Sequence, residues 1–265
     1  GLDPIVIVGC GLQLRGAALA TVIGQIVSVA VLLAMCHFRA TAGVRLRPRY
    51  FSLHCHYVRE IVYGGSPSLS RQGLASISVI LLNVAAAGYG DAAVAAMSIV
   101  SRVTMFVMAV IVGFGQGFQP FCGYCYGAAL YNRLRHGFWF IVRVGFVFLL
   151  CFSAFFFCFA EQTIAVFRDD AIVIAVGSTA LRWHLAVYPL NAYIMAGNMM
   201  LQTTRRPLRA NVLSSARKGL VFIPFILILP HLFGLMGIAM CQAVCDVVTF
   251  IIAIPIVRSA FREMT

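Results

Sequence analysis

Charge is what this sequence has least of. Only 11% of its 265 residues are charged, against 62% hydrophobic, and just eight are acidic. A soluble domain carries about 25% charged residues and about 45–50% apolar ones. So thin a supply of charge cannot cover a water-facing surface, and one soluble core could not hold the apolar excess. The bilayer is the solvent that fits. Lysine is nearly missing too: Lys218 stands alone beside nineteen arginines. A net charge of +12 would suit nucleic acid if the cations formed one face. They fall instead in short clusters between apolar runs, which is a topology signal, so nucleic acid is not an expected partner. No Ser/His/Asp set, metal motif or phosphate loop is present, and the chain does not read as an enzyme. No cleavable signal peptide is visible. The chain begins Gly1-Leu2-Asp3-Pro4 without Met, which gives the expectation of a fragment.

Nine cysteines are present, mostly inside apolar stretches, where Cys acts as a small hydrophobe. Cys122 and Cys125 form a Cys-x-x-Cys, and His54-Cys55-His56 resembles a metal tract. A metal site needs further ligands at defined spacing, and none lies nearby. Both are read as incidental, with no metal and no cofactor expected.

Seven stretches are apolar and long enough to cross about 30 Å of hydrocarbon, which takes about 20 helical residues. They lie near 16–38, 58–88, 92–120, 137–160, 171–202, 210–233 and 235–257. The linkers between them alternate in charge. One set holds Arg39, Arg45, Arg47, Arg49 and Arg59, then Arg133 and Arg135, then Arg205, Arg206 and Arg209, then Arg258 and Arg262. The other holds Arg15 and Arg168 beside Asp3, Asp91, Glu161, Asp169 and Asp170. The positive-inside rule puts the first set, and the C-terminus, on the cytoplasmic side of the membrane. The fold class is all-α, a polytopic helical bundle of about seven spans. Segment 39–57, basic and containing Pro48, reads as a cytoplasmic linker between two bundles.

A weak internal repeat supports that division. Gly16-Ala17-Ala18 opens the first span and Gly237-Ile238-Ala239 the last, 221 residues on, each after a Gly-Leu pair. Transporters are often built from such repeats. Residues 1–38 then end one bundle and 58–265 form the other, with most helices of the first bundle missing and needed for function.

Polar groups are expensive in lipid and normally face a protein interior or a watery cavity. Here they recur at helical spacing. Ser68, Gln72, Ser76 and Asn83 share a side of the second span, and Ser98, Arg102 and Gln116 one of the third. His184, Tyr188, Asn191, Asn198 and Gln202 form a stripe on the fifth; Gln242, Asp246 and Thr249 form one on the seventh. Any one stripe reads better as interhelical glue; four together favour a shared polar cavity. The pathway candidates are Gln72, Asn83, Arg102, Gln116, His184, Asn191, Asn198, Gln202, Gln242 and Asp246. Asp246 is the one acid well inside a span. It suits a proton-exchanging or cation-attracting group, or equally a structural partner for Arg217 or Gln242. Pro67, Pro120, Pro189 and Pro224 are expected to break or kink their helices.

Several runs resemble a known family. Gly65-Ser66-Pro67-Ser68, Arg71-Gln72-Gly73 and Leu81-Leu82-Asn83 resemble the opening helix of the C-lobe in MATE (multidrug and toxic compound extrusion) transporters. Tyr89-Gly90-Asp91-Ala92-Ala93 resembles its first external turn, and Gly113-Phe114-Gly115-Gln116-Gly117-Phe118-Gln119-Pro120 its Gly-rich segment. Leu213-Ser214-Ser215-Ala216-Arg217, Phe222-Ile223-Pro224 and Phe233-Gly234-Leu235-Met236-Gly237-Ile238 resemble later C-lobe helices. Asp3-Pro4 and Gly16-Ala17-Ala18-Leu19-Ala20-Thr21 resemble the end of the N-lobe. The likeness covers nearly the whole chain and is nearest the MepA-like bacterial branch. It implies twelve helices in two lobes, alternating access, and export of small organic cations driven by a proton or sodium gradient. The chain departs from the pattern in lacking acidic residues in the cores of the second and fifth spans, which leaves the coupling ion open. A lipid-linked saccharide flippase of the same superfamily is the alternative, since Arg71, Arg102 and Arg143 could meet a pyrophosphate. A seven-helix receptor is a remote one, because Lys218 is poorly placed for a retinal Schiff base.

Overall fold

In a computed structural model the described residues are 22–31, 33–34 and 54–264, and among them the chain is helical throughout, with no strand. It divides into two units, residues 1–58 and 59–265. In the first, the helix α1 (Val22–Val31) is short and apolar. The expected first span, 16–38, otherwise lies outside the described residues, as does most of linker 39–57.

The remaining helices are α2 (Cys55–Ala87), α3 (Asp91–Gly127), α4 (Tyr131–Cys158), α5 (Ala160–Phe167), α6 (Ala171–Val187), α7 (Asn191–Thr203), α8 (Pro207–Ser215), α9 (Phe222–Phe233) and α10 (Leu235–Arg262). Among the described residues, six stretches are long and apolar enough to cross a membrane: Ser68–Ala87, Asp91–Gly127, Tyr131–Cys158, Ala171–Thr203, Pro207–Phe233 and Leu235–Arg262. These are the six expected after the first. Lipid demands that spanning backbone satisfy its own hydrogen bonds, which explains the all-helical outcome.

The turns follow local chemistry. Gly90 takes φ +98° between α2 and α3, and Gly234 takes φ +58° between α9 and α10, both in the region that favours glycine. Asp170 caps α6, its Oδ1 accepting from the Ile172 amide at 3.0 Å, as N-caps do. Pro120 breaks nothing: α3 runs through it to Gly127, and α2 likewise continues past residue 67. Both correct the expectation of breaks there. The fifth span is the interrupted one, by a 3-10 turn at Tyr188–Leu190 that contains Pro189. A second interruption is a π turn, Ala216–Leu220, between α8 and α9; Pro224 follows in the first turn of α9.

The core has two main centres. One gathers Ala96, Val100, Leu181, Phe222 and Ile238 from α3, α6, α9 and α10. The other gathers Phe118, Leu134, Phe138, Met200 and Val257 from α3, α4, α7 and α10. Cys122 and Cys125 lie in this second centre as buried free thiols. The Gly-rich part of α3 is two-faced. Gly115 abuts Met199, whose Cγ would lie 3.0 Å from an added Cβ, whereas Gly113 and Gly117 face open space. There they line an apolar hollow of about 700 Å³ with Phe140 and Ile141 of α4.

Candidate functional site

The π turn carries the two neighbouring cations of the span, Arg217 and Lys218. A π turn widens the helix by one residue and often marks a functional position. Here it directs both side chains to α10, one helical turn apart. Arg217 Nε donates to Asp246 Oδ1 at 2.8 Å, and its Nη2 stands 3.5 Å from Oδ2. Asn191 Nδ2 donates to Oδ2 at 2.9 Å, and Gln242 Nε2 to Oδ1 at 3.1 Å. Lys218 Nζ donates to Gln242 Oε1 at 2.9 Å. The Lys218 carbonyl accepts from the Ser78 hydroxyl of α2, so the turn also ties that helix down. Asp246 is wholly buried. Donors from three helical elements, the π turn, α7 and α10 itself, therefore converge on one carboxylate. An ion pair so buried adds little net stability, yet removing one member leaves a charge stranded.

In front of this pair lies a cavity of about 670 Å³ between α2, α3, α6, α7 and the segment from α8 to α10. Arg71, Gln72 and Ser76 of α2, His184 of α6, and Lys218 and Gln242 give it a polar side. Met97, Met105 and Met108 of α3 and Met195 of α7 form much of the apolar side. Met is unbranched and polarizable, so such a wall adapts to different shapes. Tyr188 anchors the interrupted helix against α3, its hydroxyl donating to the Thr104 carbonyl at 2.6 Å. His184 Nε2 is buried without a hydrogen-bond partner, and so is one Arg71 Nη.

Of the residues singled out in the sequence, Gln72, His184, Asn198 and Gln242 line this cavity. Asn191 and Asp246 stand behind its wall in the ion-pair network. Gln202 braces the helices: its Nε2 donates to Asn198 Oδ1 at 2.5 Å, while Asn198 donates to the Ser214 hydroxyl at 2.7 Å and the Ala210 carbonyl at 3.0 Å. Three candidates lie away from this cavity. Arg102 and Gln116 project from the exposed side of α3, opposite its buried row through Val100, Val103, Val107 and Ile111. Asn83 is half-buried on α2 and does not line the cavity. Arg143, invoked for a pyrophosphate, is also on an exposed face. Lys218 and Ser214 were missed as site residues. The available signal for Lys218 was two adjacent cations in the middle of an apolar span.

Apolar spans around an amphipathic cavity, with an ion pair inside the spans, make a membrane transport fold. The MatE family profile matches residues 67–228, and the chain belongs to that family of membrane transporters, not to an enzyme family. The multidrug export protein MepA of Staphylococcus saprophyticus is 27% identical over 266 residues, 97% of this chain and 56% of its own length. MepA of Staphylococcus aureus is 27% identical over 238 residues, 89% of this chain and 52% of its own. The chain thus spans about half the length of the curated relatives it matches. Among solved structures, an outward-facing multidrug resistance MATE transporter of the MOP superfamily superposes with a TM-score of 0.89 at 24% identity, over 99% of this chain and 59% of that one. A MOP superfamily transporter from Pyrococcus furiosus, described as having a binding pocket of reverse polarity, gives 0.89 at 23% identity over 99% and 60%. At those identities the likeness shows the fold.

Proposed function

We propose that this chain supplies the C-lobe of a MATE-type secondary exporter, residues 58–265, together with the end of the N-lobe, 1–38, and the basic linker 39–57. The exporter moves small amphipathic molecules out of a bacterial cell by alternating access, driven by a proton or sodium gradient, with the C-terminus in the cytoplasm. The observation that carries this reading is the amphipathic cavity backed by the Arg217–Asp246 pair inside the spans. Intramembrane charge at a helix interruption is the usual sign of a substrate or ion pathway. The MepA relatives, named for multidrug export, support the same class.

Expectation from the resemblance favours organic cations. The reverse-polarity pocket attributed to the Pyrococcus furiosus protein means that cation preference does not follow from the fold. The flippase reading retains one supporting observation, the cations Arg71 and Lys218 at the cavity. The receptor reading falls with family membership.

The test is dye export. The full reading frame that encodes this chain is expressed in a bacterium lacking its own drug pumps, and ethidium efflux is followed on energisation. Export that stops when a protonophore or a sodium ionophore collapses one gradient supports the reading and names the ion. Absence of export for a panel of cationic, neutral and anionic dyes, with the protein in the membrane, refutes it.

A further inference from the structure

We infer that the cavity of this lobe receives the anionic group of an amphipathic organic acid, held by Lys218 and Arg71 with His184 beside them. This deepens the exporter reading by naming a substrate class. The charges on the cavity wall are all positive: Arg71, Arg217 and Lys218 line it, and no carboxylate does. The nearby acid, Asp246, is wholly buried behind the wall and committed to Arg217 at 2.8 Å. Arg71 and Lys218 form no ion pair among the described residues. Lys218 holds one neutral partner, the Gln242 amide oxygen, so an ammonium with three donors keeps two in hand. One Arg71 Nη and His184 Nε2 are buried with no partner at all, the imidazole in a side chain only 9% exposed. Buried donors of native proteins are normally satisfied, and exceptions at a cavity mark where a ligand atom or water belongs.

A carboxylate, sulfonate or phosphate monoester accepts from such donors through charge-assisted hydrogen bonds. A quaternary ammonium can accept nothing from these donors and meets like charge. The Met97, Met105, Met108 and Met195 wall then covers an aromatic or aliphatic body of variable shape. Cations and thioethers lining one cavity suit a molecule that carries an acid group on an apolar body. A soluble organic acid and an anionic lipid headgroup share that chemistry.

Two dyes of common body and opposite charge separate the cases: dansylglycine, an anion, and dansylcholine, a cation. The protein from the full reading frame is purified into phosphatidylcholine nanodiscs, and dansyl fluorescence is titrated. The expected result is binding of dansylglycine about tenfold tighter than dansylcholine. Lys218→Met and Arg71→Gln should each weaken dansylglycine about tenfold and leave dansylcholine unweakened. Arg71→Gln strands no carboxylate, so it serves as the second variant if Lys218→Met elutes aggregated. Tighter binding of dansylcholine, or dansylglycine binding indifferent to the variant that elutes intact, overturns the inference. In nanodiscs containing phosphatidylglycerol, loss of dansylglycine binding by competition assigns the same cationic side to a lipid headgroup; undiminished binding assigns it to the soluble acid. In proteoliposomes, transport of neither dye despite dansylglycine binding refutes the exporter and leaves the anion site standing. Transport of dansylcholine alone refutes the anion site and leaves the exporter standing.

Discussion

Replacing Asp246 by Asn tests the central pair most directly. The side chain keeps its size and one acceptor oxygen but loses its charge. Asp246 is 0% exposed and Arg217 is nearly as buried, its side chain 11% exposed. Arg217, Asn191 and Gln242 all donate to the carboxylate. Without it the guanidinium is an uncompensated buried charge, a situation that costs about 3–5 kcal/mol. Asn retains a carbonyl for Arg217, so the lower end, about 3 kcal/mol, is expected. In a unit of this size each kcal/mol lowers the melting temperature by about 2–4 °C, so Asp246→Asn should melt about 6–12 °C below the parent.

The double variant Asp246→Leu with Arg217→Met discriminates further. It removes both charges and leaves Asn191 and Gln242 each short of an acceptor, about 1 kcal/mol apiece. It should therefore melt above Asp246→Asn alone. Thermal unfolding in detergent, followed by fluorescence-detected size exclusion, reads all three. A parental melting temperature for Asp246→Asn, or a double variant no better than the single, would refute the account of the pair. Transport is a separate readout. If Asp246 belongs to the transport cycle, Asp246→Asn reaches the membrane but loses efflux or its pH dependence. Unchanged efflux across pH at equal expression leaves it a structural role only.

Further outcomes follow from individual contacts. Gly237→Ala should cost about 3 kcal/mol or more, beyond ordinary overpacking, because its Cβ would fall 2.2 Å from the Leu229 carbonyl oxygen; Gly113→Ala, open on all sides, should be neutral or slightly stabilising in the same melting assay. Tyr188→Phe removes the 2.6 Å bond to the Thr104 carbonyl and should lower stability by about 1–2 kcal/mol, with no loss of membrane insertion on a surface-labelling blot. Glu263 clamps the end of α10 to α8, pairing with Arg206 and Arg209 at 2.6 Å each. The Arg209 hydrogen bond, then those of Ser259 and the nearby charges, hold its carboxyl below the ordinary glutamate range. A lowered carboxylate pKa stabilises above its unfolded value and loses that contribution as pH falls through the folded one. The gap in melting temperature between the parent and Glu263→Gln should therefore close on acidification from neutral pH; a gap constant into the acid range contradicts the clamp.

The spans were legible because an apolar run of sufficient length has one stable form in lipid, and the runs are long here. Their inward faces were legible only in part. Spacing tells which residues share a side of a helix but not which neighbour covers that side. So Gln72, His184 and Gln242 reach the cavity while Arg102 and Gln116, equally well aligned, lie on the exposed side of α3. Prolines misled for a related reason. Pro120 removes one backbone donor from α3, and the helix carries on through it, whereas the span holding Pro189 adopts a 3-10 turn. Lys218 was not legible because a constant angle per residue does not describe its turn. One π turn shifts the helical phase and brings Arg217 and Lys218 to residues one turn apart on α10.

That shift decides the electrostatic character of the lobe. Through 216–220 the wider π turn replaces regular α geometry, and from it both adjacent cations meet α10. The widened turn lets Arg217 neutralise Asp246 while Lys218 takes only the neutral Gln242 oxygen. The acid that could have drawn an organic cation into the cavity is thereby consumed by an internal partner, and the unbalanced charge at the wall is positive. Should the full protein move organic cations, this cavity offers them no carboxylate. If it handles anions, this lobe already carries the recognition, and the arrangement of one π turn against Gln242 and Asp246 is what sets the sign.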